Sequence, residues 1–336
     1  MQRPKPLPPL PDDCCGQGCI PCVNDIYDTE LKIWEREVIQ MSSKALLNNE
    51  SDSTQVIFRD IYSYFKIKEI LPVIGNTVIF RFELPHPNSC LLTERTDLGH
   101  HLVLRLILPS NIKEELKDKG DPGYITRQYT ILSSPLTQGY FDIMVKLYKT
   151  GIASQIIRYW KAGDSVEFRG PYGSFAKKIM SPSDNGKICL LNYNHVVMLS
   201  AGTGIAPMIE VAKFILDDEE SITRLHLLYS CKSLSSILLK DQIRNFSEFW
   251  NFKVVYFITS DEETKEVGTS KQQFHYAKIM RERVNKTFLA DYFNSKDLDV
   301  VNSKCLFLVC GTKSFEIDII EYLKVLEVPV SCAFKF

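Results

Sequence analysis

The chain is predicted to form an antiparallel all-β barrel followed by an α/β domain with a parallel sheet. Three observations carry this. From Val56 onward, short runs alternate between apolar and polar residues, and turn signals separate them. Only one short helical stretch, near 152–161, interrupts them, as suits a small antiparallel barrel. Beyond residue 188 the pattern changes to apolar strands alternating with helical spacing, which suits a parallel sheet covered on both faces. A length of 336 residues fits two domains of ordinary size plus a short extra segment. The boundaries expected are 1–50 for an amino-terminal segment and linker, 56–175 for the barrel and 188–336 for the α/β domain.

Composition narrows the function. A net charge of −1 argues against nucleic acid or an anionic membrane as the main partner. Hydrophobic residues at 45% and charged residues at 24% are usual for a globular chain. No apolar run approaches the ~18 residues of a membrane helix. Met1 to Leu7 lacks the apolar core of a secretory signal, and Gln2 stands where myristoylation needs glycine. Of ten cysteines, Cys90, Cys189, Cys231, Cys305, Cys310 and Cys332 are scattered singly, several in strand-like runs. Free Cys behaves there as a small hydrophobe, so a reducing compartment without structural disulfides is expected, cytosol or an organelle surface.

The amino terminus has its own grammar. Pro4, Pro6, Pro8, Pro9 and Pro11 exclude helix and central strand, predicting an extended, mobile lead-in. Cys14, Cys15, Cys19 and Cys22 follow, four thiols of the type zinc takes as ligands, although adjacent Cys14 and Cys15 fit zinc spacing poorly. Reduced thiols or one disulfide hairpin in a docking segment is the other reading. Thr29 to Met41 then reads as a helix with Leu31, Trp34 and Val38 on one side. Residues 42–55, rich in Ser, Asn and Asp, read as a linker. The segment resembles the small oxidoreductase-like amino-terminal module.

Within the barrel, Val78, Phe80, Phe82 and Leu84 alternate with Ile79, Arg81 and Glu83, and Leu102, Leu104, Leu106 and Leu108 repeat the pattern after Gly99-His100-His101. Further strands are expected at 125–132, 140–148 and 165–169. His100 and His101 read as turn histidines, because nothing near them in sequence supplies a nucleophile or metal partner.

The stretch Arg127 to Tyr172 gathers the parts of a flavin dinucleotide site: a cation, aromatic faces and a helix start with free N–H groups. Arg127, Tyr129 and Thr130 lie on a strand edge, Val145, Lys146 and Tyr148 on another, and Gly151 to Ser154 open a helix. Helix starts bind anions, and a guanidinium meets phosphate oxygens in pairs. Taken singly, Tyr129 and Tyr148 are ordinary strand aromatics and Arg127 an edge charge.

Together, in this order, they resemble the NADH–cytochrome b5 reductases within the ferredoxin reductase-like group. Arg127, Tyr129, Thr130 and Ser133 match the family's RxYTxxS signature, and Val166-Glu167-Phe168-Arg169-Gly170-Pro171-Tyr172-Gly173 matches a second motif. The resemblance spans roughly residues 56 to 336. It implies FAD, with Arg127 at the pyrophosphate, Tyr129 against the ring or ribityl chain and Thr130 near flavin N5. Lys146 and Tyr148 match the family's VKVY strand, and Ala153 and Ser154 its phosphate loop. The family has Pro where Gln128 and Ile131 stand.

In the second domain, Val196 to Ser200 run into Ala201-Gly202-Thr203-Gly204-Ile205-Ala206-Pro207 and then a helical pattern. Strand, Gly-rich turn and helix make a nucleotide-binding crossover, with Pro207 in the first helical turn. The turn resembles the family's GGTGITP, with Ala206 replacing a threonine. Ser236 stands where the family has the Asp of its NADH ribose site, so NADH is expected by resemblance and NADPH stays open, Lys232 being nearby. Cys310-Gly311 matches the family's Cys-Gly beside the nicotinamide, without the prolines that follow it there. Phe336 matches its aromatic end. For Cys310 a buried strand position, and for Phe336 surface packing, are the rival accounts.

The resemblance thus implies hydride transfer from NADH to FAD and single-electron delivery to a haem protein, cytochrome b5 in the family, with Thr130, Lys146 and Cys310 nearest the chemistry. Lys146, Lys177 and Lys178 are candidates to steer an acidic partner. The alternative is a weakly active or non-catalytic reductase fold that docks a partner through its Cys-rich segment, motivated by the changes at Gln128, Ala206, Ser236 and Thr312.

Overall fold

The computed structural model describes residues 5–9, 22–43, 56–92, 98–110, 112, 123–175, 180–182, 188–190, 193–260, 274–296, 298 and 304–336. The chain divides into two compact units, Met1–Pro72 with Asn76–Ser174, and Val73–Gly75 with Phe175–Phe336.

The first unit is an antiparallel barrel. Its strands are β1 (Ser63–Pro72), β2 (Thr77–Glu83), β3 (His101–Ile107), β4 (Tyr124–Thr130), β5 (Tyr140–Lys146) and β6 (Ser165–Tyr172), in the order β4-β3-β6-β1-β2-β5. The ends of that order meet: Ile131 bridges Ile143, and Leu132 N–H donates to Asp142 O at 2.8 Å. Closure removes an exposed sheet edge at that point. Alternation of apolar residues aims Phe65, Phe82, Phe141 and Phe168 inward, each at most 2% exposed, with Phe82 stacked on Phe141 at 5.1 Å and edge-on to Phe168 at 4.9 Å.

The helix expected near 152–161 is shorter, α2 (Ile152–Ile157). Beyond it the Trp160 ring meets Phe80 edge-on at 5.1 Å and packs against the barrel core.

Before the barrel comes α1 (Val23–Ser43), longer than its apolar spacing predicts. It begins early because Asp25 Oδ2 accepts the Cys22 N–H at 3.0 Å, half of a capping box, which also sets an acidic group at the helix start. Lys5–Pro9 is extended, as its prolines require, but not a mobile lead-in. Leu7 N–H donates to Tyr124 O at 3.2 Å and Gly123 N–H to Lys5 O at 3.0 Å, fixing the segment along the start of β4.

The second unit is a parallel sheet, ordered β12-β11-β10-β9-β13-β14: β9 (His195–Ala201), β10 (Arg224–Cys231), β11 (Phe252–Ile258), β12 (Ala277–Met280), β13 (Cys305–Cys310) and β14 (Ala333–Lys335). A short hairpin, β7 (Met180–Pro182) with β8 (Ile188–Leu190), lies in what the sequence reads as a connector. The crossovers carry α3 (Ile205–Leu216), α4 (Lys240–Phe246), α5 (Lys286–Ser295) and α6 (Lys313–Val325). Strands β9 and β10 read as near-continuous apolar runs because helices cover both faces. Order reverses between β9 and β13, and in open α/β sheets that switch point, at the carboxyl ends of the strands, is where ligands bind.

Candidate functional site

In the first unit the candidate residues gather where β4 and β5 close the barrel. Continuing the Ile131–Ile143 antiparallel register sets Tyr129 opposite Val145 and Arg127 opposite Leu147. Arg127 is exposed, and among the described residues its guanidinium bonds only to the Thr126 carbonyl, at 2.6 Å. Tyr129 is partly buried against the barrel core; burial pushes its hydroxyl up to about 12, and the neighbouring Arg127 pulls the other way. Tyr148 also acts on Tyr129, so the cation and both phenol rings share one neighbourhood.

The helix start joins them. Gly151 precedes α2, and Ser154, 4% exposed, accepts the Tyr148 N–H through Oγ at 2.9 Å. Tyr148 is 52% exposed, with Lys146 Nζ 5.7 Å from its ring centroid. A guanidinium exposed and without an acid partner among the described residues, an open aromatic face and a lysine match the needs of a dinucleotide with a flavin ring. Thr130 is half-buried at the end of β4, paired with His101.

Other predicted residues support the cluster from behind. Val145 and Ala153 are buried in the barrel core. Ser133 Oγ accepts the Asp142 N–H at 3.2 Å, and Asp142 takes a two-pronged bond from Arg81 at 2.9 and 3.0 Å. Ser133 therefore braces the seam. Arg81 and Asp142 are paired across β2 and β5, a register that sequence spacing alone leaves hidden.

In the second unit β9 runs into a turn, Gly202–Gly204, followed by α3 with Pro207 in its first helical turn. Gly202 has φ +54°, and a side chain there would point into open space. A Cβ on Gly204 would fall 2.3 Å from the Cys310 carbonyl, so only glycine permits this approach between the two loops of the switch point. The buried Tyr229 hydroxyl donates to Gly202 O at 2.9 Å and pins the turn. Ser200 Oγ, fully buried just before it, lacks a hydrogen-bond partner among the described residues. Thr203, half-buried, completes the turn. Open backbone at a helix start beside an unsatisfied hydroxyl fits a phosphate-bearing nucleotide.

Cys310 ends β13. Burial and the Glu316 carboxylate push its thiol up to about 12, which favours the protonated thiol at neutral pH. Glu316 was not legible as a site residue: its Oε1 accepts the Gly311 N–H at 3.0 Å, and its other oxygen lies 3.5 Å from Lys335 Nζ. Burial raises the Glu316 carboxyl. Phe336 donates its N–H to Val309 O and packs with Phe175 and Phe334, at 4.9 and 5.0 Å, in a three-ring cluster. Ser236 Oγ accepts the Ser233 N–H at 2.9 Å and donates to Ser233 O at 2.8 Å, closing its own turn.

His100 is buried, and burial takes the neighbouring His101 down to about 4, in keeping with structural histidines. Cys14, Cys15, Cys19, Lys177 and Lys178 lie outside the described residues. Cys22, Cys90, Cys231, Cys305, Cys310 and Cys332 are free thiols. Among the described residues no cluster of His, Cys, Asp and Glu could hold a metal, and no helix is long and apolar enough to cross a membrane.

Comparison with known proteins agrees with both halves. Residues 64–176 match the oxidoreductase FAD-binding domain, 198–320 the oxidoreductase NAD-binding domain and 1–43 the amino-terminal oxidoreductase-like protein family. The mouse protein named NADH-cytochrome b5 reductase-like is 30% identical over 321 residues, covering 94% of this chain and 90% of that one. The yeast plasma membrane-associated coenzyme Q6 reductase is 26% identical, covering 88% and 81%. Among solved structures, the cytochrome b5 reductase domain of Ulva prolifera nitrate reductase aligns with a TM-score of 0.63 at 20% identity, covering 84% of this chain and 99% of that one. A Neisseria gonorrhoeae ferredoxin NADP+ reductase with bound FAD and NADP aligns at 0.56 and 15% identity, covering 82% and 98%. With its paired FAD- and NAD-binding domains and this extent of identity, the chain belongs to the NADH–cytochrome b5 reductase-like family of oxidoreductases.

Proposed function

We propose that this protein passes electrons from NADH through FAD to a one-electron haem acceptor of the cytochrome b5 class. The observation that carries the reading is the exposed Arg127 guanidinium, without an acidic partner among the described residues, beside Tyr129 and Tyr148. Bound FAD supplies two-electron uptake and one-electron release, chemistry no side chain here provides.

The chain's own part is binding and placement. Arg127 and the N–H groups after Gly151 hold the pyrophosphate, and Tyr129 and Tyr148 cover the flavin. Thr130 offers a hydroxyl at the reacting edge, and Lys146 balances negative charge as it develops. Gly202, Thr203, Gly204 and Pro207 receive the dinucleotide phosphates of NADH, and Ser236 lines the ribose side. Cys310, protonated, packs against the nicotinamide, and Phe336 covers the neighbouring surface.

The donor assignment to NADH rests on family membership. Ser236 carries no charge to repel a 2′-phosphate, so discrimination against NADPH should be modest. Haem is favoured over quinone as acceptor because the mouse and human relatives carry the cytochrome b5 reductase name. Steady-state assays with NADH, comparing cytochrome b5 with a short-chain quinone, test the acceptor. Faster turnover of cytochrome b5 supports the proposal, and faster turnover of the quinone overturns it.

A further inference from the structure

We infer that the amino-terminal segment is a working part of the flavin-binding unit, with Glu30 as a positioning residue for strand β4. The inference rests on β4 being the flavin strand, as proposed above.

Arg169 is the starting point. Its side chain is 1% exposed, and a guanidinium so deep in the protein needs an anion beside it. That anion comes from α1. Glu30, also 1% exposed, forms an ion pair with Arg169 through Nη2 and accepts its Nε–H at 2.6 Å. The same carboxylate accepts the Tyr62 hydroxyl at 2.6 Å and the Tyr124 hydroxyl at 3.2 Å, so both of its oxygens are used and every partner belongs to the barrel. Arg105, paired with Glu167 at 2.7 and 2.8 Å, lies over the Tyr62 ring at 3.8 Å and continues the network.

A second tie is made by backbone. Pro6 pairs in parallel with Tyr124, flanked by the bonds of Lys5 and Leu7 already described, and the Leu7 side chain packs on the barrel core. Prolines suit this position, since an added edge strand needs donors on one side only. Lys5 Nζ stands 5.9 Å from the Trp34 ring, linking the extended segment to the helix.

Both ties converge on Tyr124, the first residue of β4, three positions before Arg127 and five before Tyr129. β4 has β3 as its neighbour along its length and meets β5 only where the barrel closes, so its opening residues depend on the amino-terminal segment for their second partner. These contacts give the segment the task of holding the flavin strand in place.

The test uses the full-length protein with Glu30→Gln, which keeps the shape and removes the charge. FAD is titrated into the apoprotein, and amide hydrogen exchange is followed over residues 124–130. The expected result is a rise of about ten-fold in the FAD Kd together with faster exchange in β4. His226→Gln in the second unit serves as a control for general destabilisation and should leave the FAD Kd as in wild type. If Glu30→Gln does not fold, Tyr124→Phe removes only a hydroxyl touching Glu30 and should raise the Kd about three-fold. A normal FAD Kd and normal β4 exchange in the variant, with lowered thermal stability alone, would overturn the inference. Arg127→Ala separates the two readings: if it fails to weaken FAD binding, the flavin assignment of β4 is wrong. If it weakens FAD and Glu30→Gln does not, only the role of Glu30 is.

Discussion

Glu316 Oε1 accepts the Gly311 amide at 3.0 Å and so ties the first turn of α6 to the loop that ends β13. Where the family places prolines after this Cys-Gly pair, the chain has Thr312, Lys313 and Ser314, and the helix is capped by Thr312 accepting the Phe315 N–H at 3.4 Å. Stiffness that prolines give by covalent restraint comes here from two hydrogen bonds. Glu316→Ala removes one of them, worth on the order of 2 kcal/mol when the acceptor is charged. The KM for NADH should rise roughly ten-fold while FAD content stays normal. An unchanged KM in stopped-flow and steady-state measurements would show that the loop is held by other means.

Donor selectivity should respond at Ser236. Its hydroxyl bonds within its own turn, and an aspartate there can still accept the Ser233 N–H, so the turn should survive the change. The added charge repels the 2′-phosphate of NADPH. Ser236→Asp should raise the ratio of kcat/KM for NADH over NADPH by about ten-fold. A ratio equal to that of the wild type would remove Ser236 from the ribose site.

Acid should unfold the second unit through its buried imidazoles. His226 lies between His195 and Tyr292, with 3.0 Å to each. Burial first, and then His195, Lys296, Arg224 and Lys253, bring His226 down to about 3. Its folded value is below the ordinary 6.5, so the unfolded chain binds the extra proton as pH falls. The stability is complete above about pH 6.5 and declines by about 1.4 kcal/mol per pH unit for this proton until the folded value is reached. Urea midpoints should therefore fall between pH 7.5 and 5, and His226→Gln should flatten part of that slope. A slope identical in the variant would place the effect elsewhere, for instance at His101.

Much of this was legible because the signals are local. Alternation in Val78 to Leu84 gives β2, and the succession Val196 to Pro207 gives β9, its turn and α3, since each depends on neighbours a few residues apart. What was not legible involves distance along the chain. Glu30 and Arg169 are 139 residues apart, and neither has a local pattern announcing a partner. For the same reason the proline-rich lead-in read as mobile, although Leu7 is bonded to Tyr124. The direction of a small side chain is equally hidden: the Ser133 hydroxyl accepts the Asp142 N–H and the Ser236 hydroxyl bonds to Ser233, and no local pattern announces either bond.

The central claim, that FAD is held by Arg127 and its neighbours and is reduced by NADH, is tested most directly by the visible spectrum of the purified protein under anaerobic conditions. A yellow flavin that NADH bleaches, and that Arg127→Ala fails to retain, is the predicted result. A colourless protein that takes up no FAD on reconstitution, or a bound flavin untouched by NADH, would contradict it.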